Sequence, residues 1–323
     1  MSLSSADAHV ELAESAVIAG EVWLGVGVRL DQGSVVRSHD GAVRLGHHAR
    51  IGARATVWGD AEHPTAVGQG ARIGTGCTVL GARLGDLCEV GAGCVLLPGS
   101  WLGDGCVLAA GTLVPAGTVV PAGTVVSGRP PHVVRSATGA DGPGRADRAA
   151  LTDVPLHRRV GRPVRVPVGV PPIDGHEAIE PDARSTRVLG DVQLGTGCAL
   201  GIGARLVAES DGQIRLGAGV QVLEHAVLRA GADEELVVQD GVVVGPGVTV
   251  DGARVGARSV LEPGAVLEPG ARLGAGSLVR AGSLVAAGTD LGPLAIVDGR
   301  PGRRIGTLHS GPSRPPWLLP ESG

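Results

Sequence analysis

Four side chains that can exchange protons lie close together in the first third of the sequence: His39, Asp60, Glu62 and His63. Imidazole and carboxylate groups are the usual general acids and bases of enzymes. We therefore take these four as the candidate catalytic residues. They show no spacing typical of metal ligands, so we predict no metal site from them.

Composition limits the partners of the chain. Its 323 residues include 28 Lys and Arg against 32 Asp and Glu, which gives a formal net charge of −4. This balance offers no electrostatic basis for binding nucleic acid or an anionic membrane. No basic segment precedes an apolar run near the start, and no apolar stretch reaches about 18 residues. We predict no signal peptide, no membrane span and a cytoplasmic location.

Aliphatic residues recur at every sixth position, usually followed by glycine. This spacing fits neither the helical period of about 3.6 nor strand alternation, and it predicts a β-solenoid with three short strands per coil. The chain has no Phe or Tyr, so aliphatic residues must form its core. Five cysteines share the fifth hexad position, which predicts small buried side chains and not disulfides, ligands or nucleophiles. They are Cys77, Cys88, Cys94, Cys106 and Cys198.

The solenoid pattern occurs twice. Residues 41–135 align without a gap to residues 212–306, and the ends SGRPPHVVR (127–135) and DGRPGRRIG (298–306) correspond. The sequence therefore predicts an all-β chain of two tandem parallel β-helix domains. We assign residues 1–135 and 186–310 to the two domains, 136–185 to a linker rich in Pro, Gly and Arg, and 311–323 to a loosely packed tail.

The hexad rhythm is interrupted at matching places in both halves. In the first half, three and four extra residues follow the inward positions 36 and 57; in the second half, four follow 206 and four follow 228. Because three hexads separate the interruptions, loops 37–40 and 58–63 are predicted to leave the same corner of successive coils and to stack. Trp58 and Leu80 are predicted to lie side by side on one face.

These features together resemble the gamma-class carbonic anhydrases. The shared elements are the hexad map, the two loops, a one-residue skip (Val79 to Leu84, Val250 to Val255) and the terminal GRPPHVVR and GRPGRRIG segments. The resemblance covers residues 17–135 and about 187–306. It implies left-handed coils, as in other hexapeptide proteins, and assembly as a homotrimer.

That family binds zinc through three histidines at a subunit interface. At the positions of this chain that match those ligands, no histidine is present. The matching positions hold Trp58, Thr75 and Leu80 in the first half. In the second half they hold Arg229, Pro246 and Asp251. Trp, Thr and Leu side chains cannot hold a catalytic zinc ion. The resemblance thus implies a metal-free relative that no longer hydrates CO2 and has no cofactor.

The emptied metal cavity is predicted to be a partly apolar pocket with acid and base groups at its rim. A solvated loop over a well-packed trimer interface is the alternative interpretation. The first-half pocket residues would be Arg37, Asp40, Arg50, Trp58, Thr75 and Leu80, and the second-half equivalents Glu224, His225, Arg229, Pro246 and Asp251.

Three functions fit these expectations. The first is a metal-free carbonic anhydrase relative that binds a partner or a small molecule at its cavity or trimer interface. The second is an enzyme doing acid/base chemistry on an organic molecule in the cavity. The third is a hexapeptide acyltransferase using acyl-CoA, with His39, His63 or His225 as the base. The short loops argue against the third, because they offer little to close over a pantetheine arm.

Overall fold

A computed structural model describes residues 10–39, 42–138, 141, 162–166 and 186–319. For residues 162–166 it describes the backbone only. The chain divides into two compact units, residues 1–169 and 170–323. Each unit is described by itself. The described residues contain strands, turns and bends but no α-helix.

The inward hexad positions form the core of each unit, as the sequence predicts. Leu96 and Leu102 in the first unit and Leu228 and Leu261 in the second are fully buried. The glycine that follows the inward residue is required by close contact between coils. A Cβ on Gly74 would lie 2.7 Å from the carbonyl oxygen of Val90 in the next coil. Aliphatic side chains therefore fill the prism while glycines let its walls stack.

The first unit contains twenty strands, most of two to four residues. They are β1 (Glu11–Leu12), β2 (Val17–Leu24), β3 (Arg29–Leu30), β4 (Val35–Ser38), β5 (Val43–Leu45), β6 (Arg50–Ile51), β7 (Thr56–Gly59), β8 (Thr65–Val67), β9 (Arg72–Ile73), β10 (Thr78–Leu80), β11 (Arg83–Leu84), β12 (Glu89–Val90), β13 (Val95–Leu96), β14 (Trp101–Leu102), β15 (Val107–Leu108), β16 (Leu113–Val114), β17 (Val119–Val120), β18 (Thr124–Ser127), β19 (His132–Ser136) and β20 (Arg162–Val166) among the described residues.

The second unit repeats this arrangement. Its described strands are β21 (Arg187–Leu189), β22 (Asp191–Leu194), β23 (Ala199–Leu200), β24 (Arg205–Ala208), β25 (Gln213–Leu216), β26 (Gln221–Val222), β27 (Val227–Ala230), β28 (Glu235–Val238), β29 (Val243–Val244), β30 (Thr249–Asp251), β31 (Arg254–Val255), β32 (Val260–Leu261), β33 (Val266–Leu267), β34 (Arg272–Leu273), β35 (Leu278–Val279), β36 (Leu284–Val285), β37 (Asp290–Leu291), β38 (Ala295–Gly299) and β39 (Gly302–Thr307).

Every third strand belongs to the same face, so each unit is a three-sided parallel coil. The faces of the second unit run β21-β24-β27-β30-β33-β36, β22-β25-β28-β31-β34-β37 and β23-β26-β29-β32-β35-β38. In the first unit, one face runs from β1 through β3, β6, β9, β12 and β15 to β18, and β2 bends to join the other two faces. The prediction of two tandem left-handed parallel β-helices is confirmed, with about 13 turns in all.

Both coils end in the same antiparallel hairpin, which explains the matching GRP segments. β18 pairs with β19, and β38 pairs with β39. A cis peptide bond precedes Pro130 and Pro301. Arg129 donates from Nε to the Gly111 carbonyl at 2.6 Å, and Arg300 donates to the Gly282 carbonyl at 2.7 Å. The two halves therefore share their ends as well as their coils.

The cysteines are buried and free, as predicted, and they have a defined structural role. The Cys88 thiol lies 3.2 Å from the Gly103 carbonyl oxygen, to which it donates. At the matching position of the second unit, the Ser259 hydroxyl donates to the Gly274 carbonyl, also at 3.2 Å. Burial raises the pKa of the Cys198 thiol, which keeps it protonated near neutral pH. These thiols act as small hydrogen-bonding core residues.

Two parts of the predicted domain organisation differ from the structure. Within the segment predicted as a linker, β20 pairs antiparallel with Gly20–Leu24 of β2, where it adds a strand to the first coil. The tail is not loosely packed throughout, since Trp317 and Leu319 are buried. In both cases sequence without hexad rhythm still adds to a coil surface.

The strand β14 offers a direct test of the inward and outward assignment. Replacing Leu102, which is fully buried, by Ala should lower the free energy of unfolding by about 2–5 kcal/mol, because it leaves a cavity in the prism. The adjacent Trp101→Ala change removes a side chain that is 54% exposed and should cost within about 0.5 kcal/mol. Urea denaturation followed by circular dichroism compares the two, and equal destabilisation would contradict the assignment.

Candidate functional site

The two inserted loops of the first unit lie on successive coils at one corner, as predicted. One joins β4 to β5 and the other joins β7 to β8. The backbone N–H of His39 in the first loop donates to the Gly59 carbonyl in the second at 2.9 Å. The Thr65 N–H donates to the Ala42 carbonyl at 2.9 Å, which ties the far ends of the loops together. The loops thus continue the parallel ladder of the coils.

Behind these loops lies a column of three side chains, which we call the 37–58–80 column. Arg37, Trp58 and Leu80 are direct register neighbours on three successive coils, which confirms the predicted contact face for Trp58 and Leu80. Trp58 and Leu80 are fully buried, and Arg37 is 3% exposed. The indole is therefore enclosed between neighbours in the single chain and does not line an open pocket.

The Trp58 side chain carries an unusual feature for a buried group. Its Nε1 atom has no hydrogen-bond partner among the described residues. Its backbone carbonyl, in contrast, accepts from the Gly81 N–H at 2.9 Å and from the Thr65 hydroxyl. A buried donor without a partner costs stability, so the column is held by packing and by backbone hydrogen bonds.

His63 and Asp60 form a compact pair on the second loop. The Asp60 carboxylate accepts from the His63 backbone N–H at 2.6 Å, and the same oxygen lies 3.4 Å from Nδ1 of the imidazole. The Asp60 N–H donates back to the His63 carbonyl at 3.2 Å. The Asp60 side chain is 21% exposed and the His63 side chain is 32% exposed. A carboxylate therefore lies near the buried Nδ1 of a partly exposed histidine, and Nδ1 has no hydrogen-bond partner among the described residues.

The other two candidate catalytic residues are placed differently. Glu62 is exposed at the tip of the loop, and His39 is half-buried in the preceding one. The His39 carbonyl accepts from the Ala42 N–H at 3.3 Å, so its backbone helps to close that loop. Asp40 lies outside the described residues. Of the four candidates, Asp60 and His63 are the two that the structure brings together.

Arg50 and Thr75 do not join the 37–58–80 column within the chain. Arg50 is half-buried on β6, on a different face of the coil, between Arg29 and Arg72 of the neighbouring strands. Thr75 is exposed in the turn that precedes β10. Among the described residues of one chain, Arg50 and Thr75 therefore lie apart from Arg37, Trp58 and Leu80.

The second unit holds an ion-paired cluster at the matching face. Arg229 and Asp251 are register neighbours on successive coils. The Arg229 guanidinium donates to the Asp251 carboxylate from Nε at 3.1 Å and from Nη2 at 3.0 Å. Glu209 approaches the same guanidinium at 3.7 Å. Hydrogen bonding to Asp251 raises the pKa of Arg229 further. Where the first unit encloses Trp58 and Leu80, the second carries a solvated ion pair.

The remaining second-half candidates lie at a separate corner. Glu224 is almost fully buried, and the neighbouring His225 has a φ of 58°. The His225 ring packs over Gly203, where a Cβ would lie 2.4 Å from Nδ1. The Glu224 carbonyl accepts from Gly247, the residue after buried Pro246. Since Arg229 and Asp251 lie on the adjacent face, the predicted second-half set divides into two groups.

Within residues 10–39, 42–138 and 186–319, no group of three or more His, Cys, Asp or Glu side chains is arranged to hold a metal ion. None of the described elements is a helix with the length and apolar character needed to cross a bilayer.

Two residues beside the candidate site were not anticipated from the sequence. Thr65 links the coils, because its hydroxyl donates to the Trp58 carbonyl and accepts from the Ala82 N–H at 3.3 Å. Gly81 has a φ of 55°, and a Cβ there would lie 2.5 Å from that of His63. In the sequence, the glycine at the one-residue skip is the feature that indicates this close approach, because the skip brings the next coil against the loop.

Comparison with known proteins adds information on the repeat. Residues 64–98 match a family model described as the hexapeptide repeat of succinyl-transferase. This match begins directly after His63 and covers the regular coils that follow the second loop. It supports the hexapeptide-repeat solenoid.

Solved structures with similar coils include several acyltransferases. A hexapeptide transferase family protein from Anaplasma phagocytophilum is 23% identical, over 45% of this chain and 86% of that one, with a TM-score of 0.30. The acetyltransferase domain of PglB from Neisseria gonorrhoeae is 20% identical over 39% and 57%, with a TM-score of 0.34. A mutant of AntD, an N-acyltransferase from Bacillus cereus, is 16% identical over 40% and 81%, with a TM-score of 0.36. Similarity at this level concerns coil architecture.

Because the chain is duplicated, Trp58 has an equivalent residue in the second unit, Arg229, and substitutions at the two positions test the packing of the 37–58–80 column. Trp58→Ala should destabilise the first unit by about 3–5 kcal/mol, because the indole is fully buried between two neighbours. Trp58→Phe should cost much less, since it removes the unpartnered donor and keeps most of the volume. Arg229→Ala, at the equivalent exposed position, should leave the denaturation midpoint nearly unchanged. A Trp58→Ala protein as stable as Arg229→Ala would show that the column is not packed.

Proposed function

We propose that the first unit transfers an acyl group from a thioester to an amine or hydroxyl acceptor, with His63 accepting the proton of the acceptor. The observation that carries this proposal is the pairing of a solvent-reachable imidazole with the Asp60 carboxylate, at a corner where the coil is interrupted. The adjacent match to a succinyl-transferase repeat supports the same reaction class.

In this proposal the two residues have separate roles. Asp60 holds the His63 backbone through the hydrogen bond from its N–H, and its carboxylate lies 3.4 Å from Nδ1, which has no hydrogen-bond partner among the described residues; Nε2 is the proposed proton acceptor. As the acceptor nitrogen or oxygen attacks the thioester carbonyl, its proton passes to Nε2. The C–S bond then breaks, and the departing thiolate takes that proton from the imidazolium. Asp60 acts as a positioning residue, because it touches His63 and not the reacting atoms.

The packing beside His63 also fits a catalytic corner. His63 lies against Gly81, which directly follows the fully buried Leu80. Rigid support for a catalytic side chain matters because a loose imidazole would spend little time in a productive orientation. The loops are short, so the thioester arm would lie along the coil wall instead of under a lid.

A panel of acyl-CoA thioesters and amine or hydroxyl acceptors, followed by mass spectrometry of the acylated product, tests the proposal. His63→Gln should lower kcat by about 10²–10⁴-fold, because a positioned general base contributes that much, while the KM for the thioester stays unchanged. His132→Gln is the matched control, since His132 is exposed in the hairpin of the same unit. Full activity of His63→Gln, or no transfer with any pair, would refute the assignment.

A second candidate is non-catalytic binding by a metal-free relative of the gamma-class carbonic anhydrases, assembled as a homotrimer. It is favoured by the way the two units close their former ligand positions, through the enclosed Trp58 and Leu80 and through the Arg229–Asp251 ion pair. A ligand or partner would then bind across chains, because Arg50 and Thr75 lie away from the 37–58–80 column within one chain.

Metal analysis and light scattering of the purified protein test this second candidate. We expect a trimer that contains less than about 0.1 zinc per chain and that fails to hydrate CO2, because neither unit has three zinc-binding side chains at these positions and Asp251 is ion-paired to Arg229. Added zinc should leave the melting temperature unchanged. One tightly held zinc per unit, with CO2 hydration, would rule out both the loss of the metal site and the non-catalytic role.

A further inference from the structure

One face of the second unit has buried residues at positions that point away from the prism. Gln221, Val243 and Val260 precede inward residues on β26, β29 and β32 and are register neighbours on successive coils. At the matching positions of the first unit, Arg50, Arg72 and Glu89 are only half-buried. These three are only 8%, 7% and 4% exposed, so something covers them.

The C-terminal segment 311–319 lies where that cover is needed. At one end, the Gly311 Cα lies 3.6 Å from where a Cβ on Gly276 would be, in the turn before β35. At the other end, the Leu319 N–H donates to the Gln221 side-chain oxygen at 3.1 Å. The path crosses the coils of β32 and β29. Three coil steps of about 4.8 Å are within reach of nine residues in extended form.

The segment places alternate side chains against this face. Trp317 and Leu319 are 4% and 3% exposed, while Leu318 between them is half-buried. Two prolines precede Trp317, which keeps the approach extended and lowers the entropy lost on binding. Two apolar anchors two residues apart and one backbone hydrogen bond are features of a peptide in a binding groove.

The duplicated first unit shows that the groove is specific to the second. The positions that match Gln221, Val243 and Val260 there are Arg50, Arg72 and Glu89. Arg72 and Glu89 form an ion pair with 29% and 24% of their side chains exposed. A charged surface of this kind would not accept Trp and Leu side chains, because burying the ions without new partners is costly.

We propose that β26, β29 and β32 form a peptide-binding groove for an extended segment carrying Trp-x-Leu, and that residues 311–319 occupy it in cis. Trp317 is buried two residues before Leu319, whose backbone N–H donates to the Gln221 side chain. An occupied groove keeps this face from pairing with other chains. When the segment is displaced, the same sequence from a second copy is the ligand that fits.

The test uses the full chain and a fluorescent peptide with the sequence of residues 311–319, GPSRPPWLL. In fluorescence anisotropy, the unmodified chain should not bind the peptide, because its groove is filled. The Trp317→Ala/Leu319→Ala chain should bind it. Adding Val243→Arg to that double variant should weaken binding by at least about tenfold, since it places a charge at the centre of the groove.

Two controls separate groove binding from general stickiness. A peptide with Ala in place of both Trp317 and Leu319 should bind neither chain, and Arg72→Ala in the first unit should have no effect. Equal peptide binding by the unmodified chain and the double variant, or binding by neither, would overturn the proposal. If the double variant is unfolded, hydrogen exchange of the unmodified chain decides, since a Leu319 amide exchanging as fast as in the free peptide also overturns it.

Discussion

The hydrogen bonds between successive coils fix the spacing on which the rest of the molecule depends. Each short strand pairs in parallel with the strand one coil before and one coil after it, as Thr56, Thr78 and Val95 do in the first unit. The prism enclosed by three such walls is narrow. Only aliphatic side chains at the inward position fill it without strain, and glycine must follow wherever backbones of neighbouring coils approach closely.

Because the interior is so constrained, divergence between the halves is concentrated on outward columns and corners. The inward residues of the two units remain interchangeable aliphatics, and Cys88 and Ser259 even make the same hydrogen bond to the next coil. The outward position after the inward residue is free to change. It holds enclosed Trp58 in one unit and ion-paired Arg229 in the other. Duplication has therefore produced two similar supports with different surfaces.

The chemistry of each unit follows from what covers its outer faces. In the first, an inserted loop carries Asp60 and His63 and packs against Gly81, so a titratable pair is held over an apolar wall. In the second, a returning segment buries Trp317 and Leu319 and is tied to Gln221 by the Leu319 N–H. A solenoid wall is regular and has few pockets of its own, so added segments of a few residues decide where it can bind or react.

The sequence by itself determined the period of six, the duplication, the inward residues, the place of both loops and the neighbouring positions of Trp58 and Leu80. These are set locally, because a hexad specifies its own strand, corner and inward side chain. Only the tertiary structure decided that Trp58 is enclosed, that Asp60 pairs with His63, that Arg50 lies on another face and that residues 317–319 return to Gln221. Those outcomes depend on how side chains pack between coils and on segments without hexad rhythm, and residue spacing alone specifies neither.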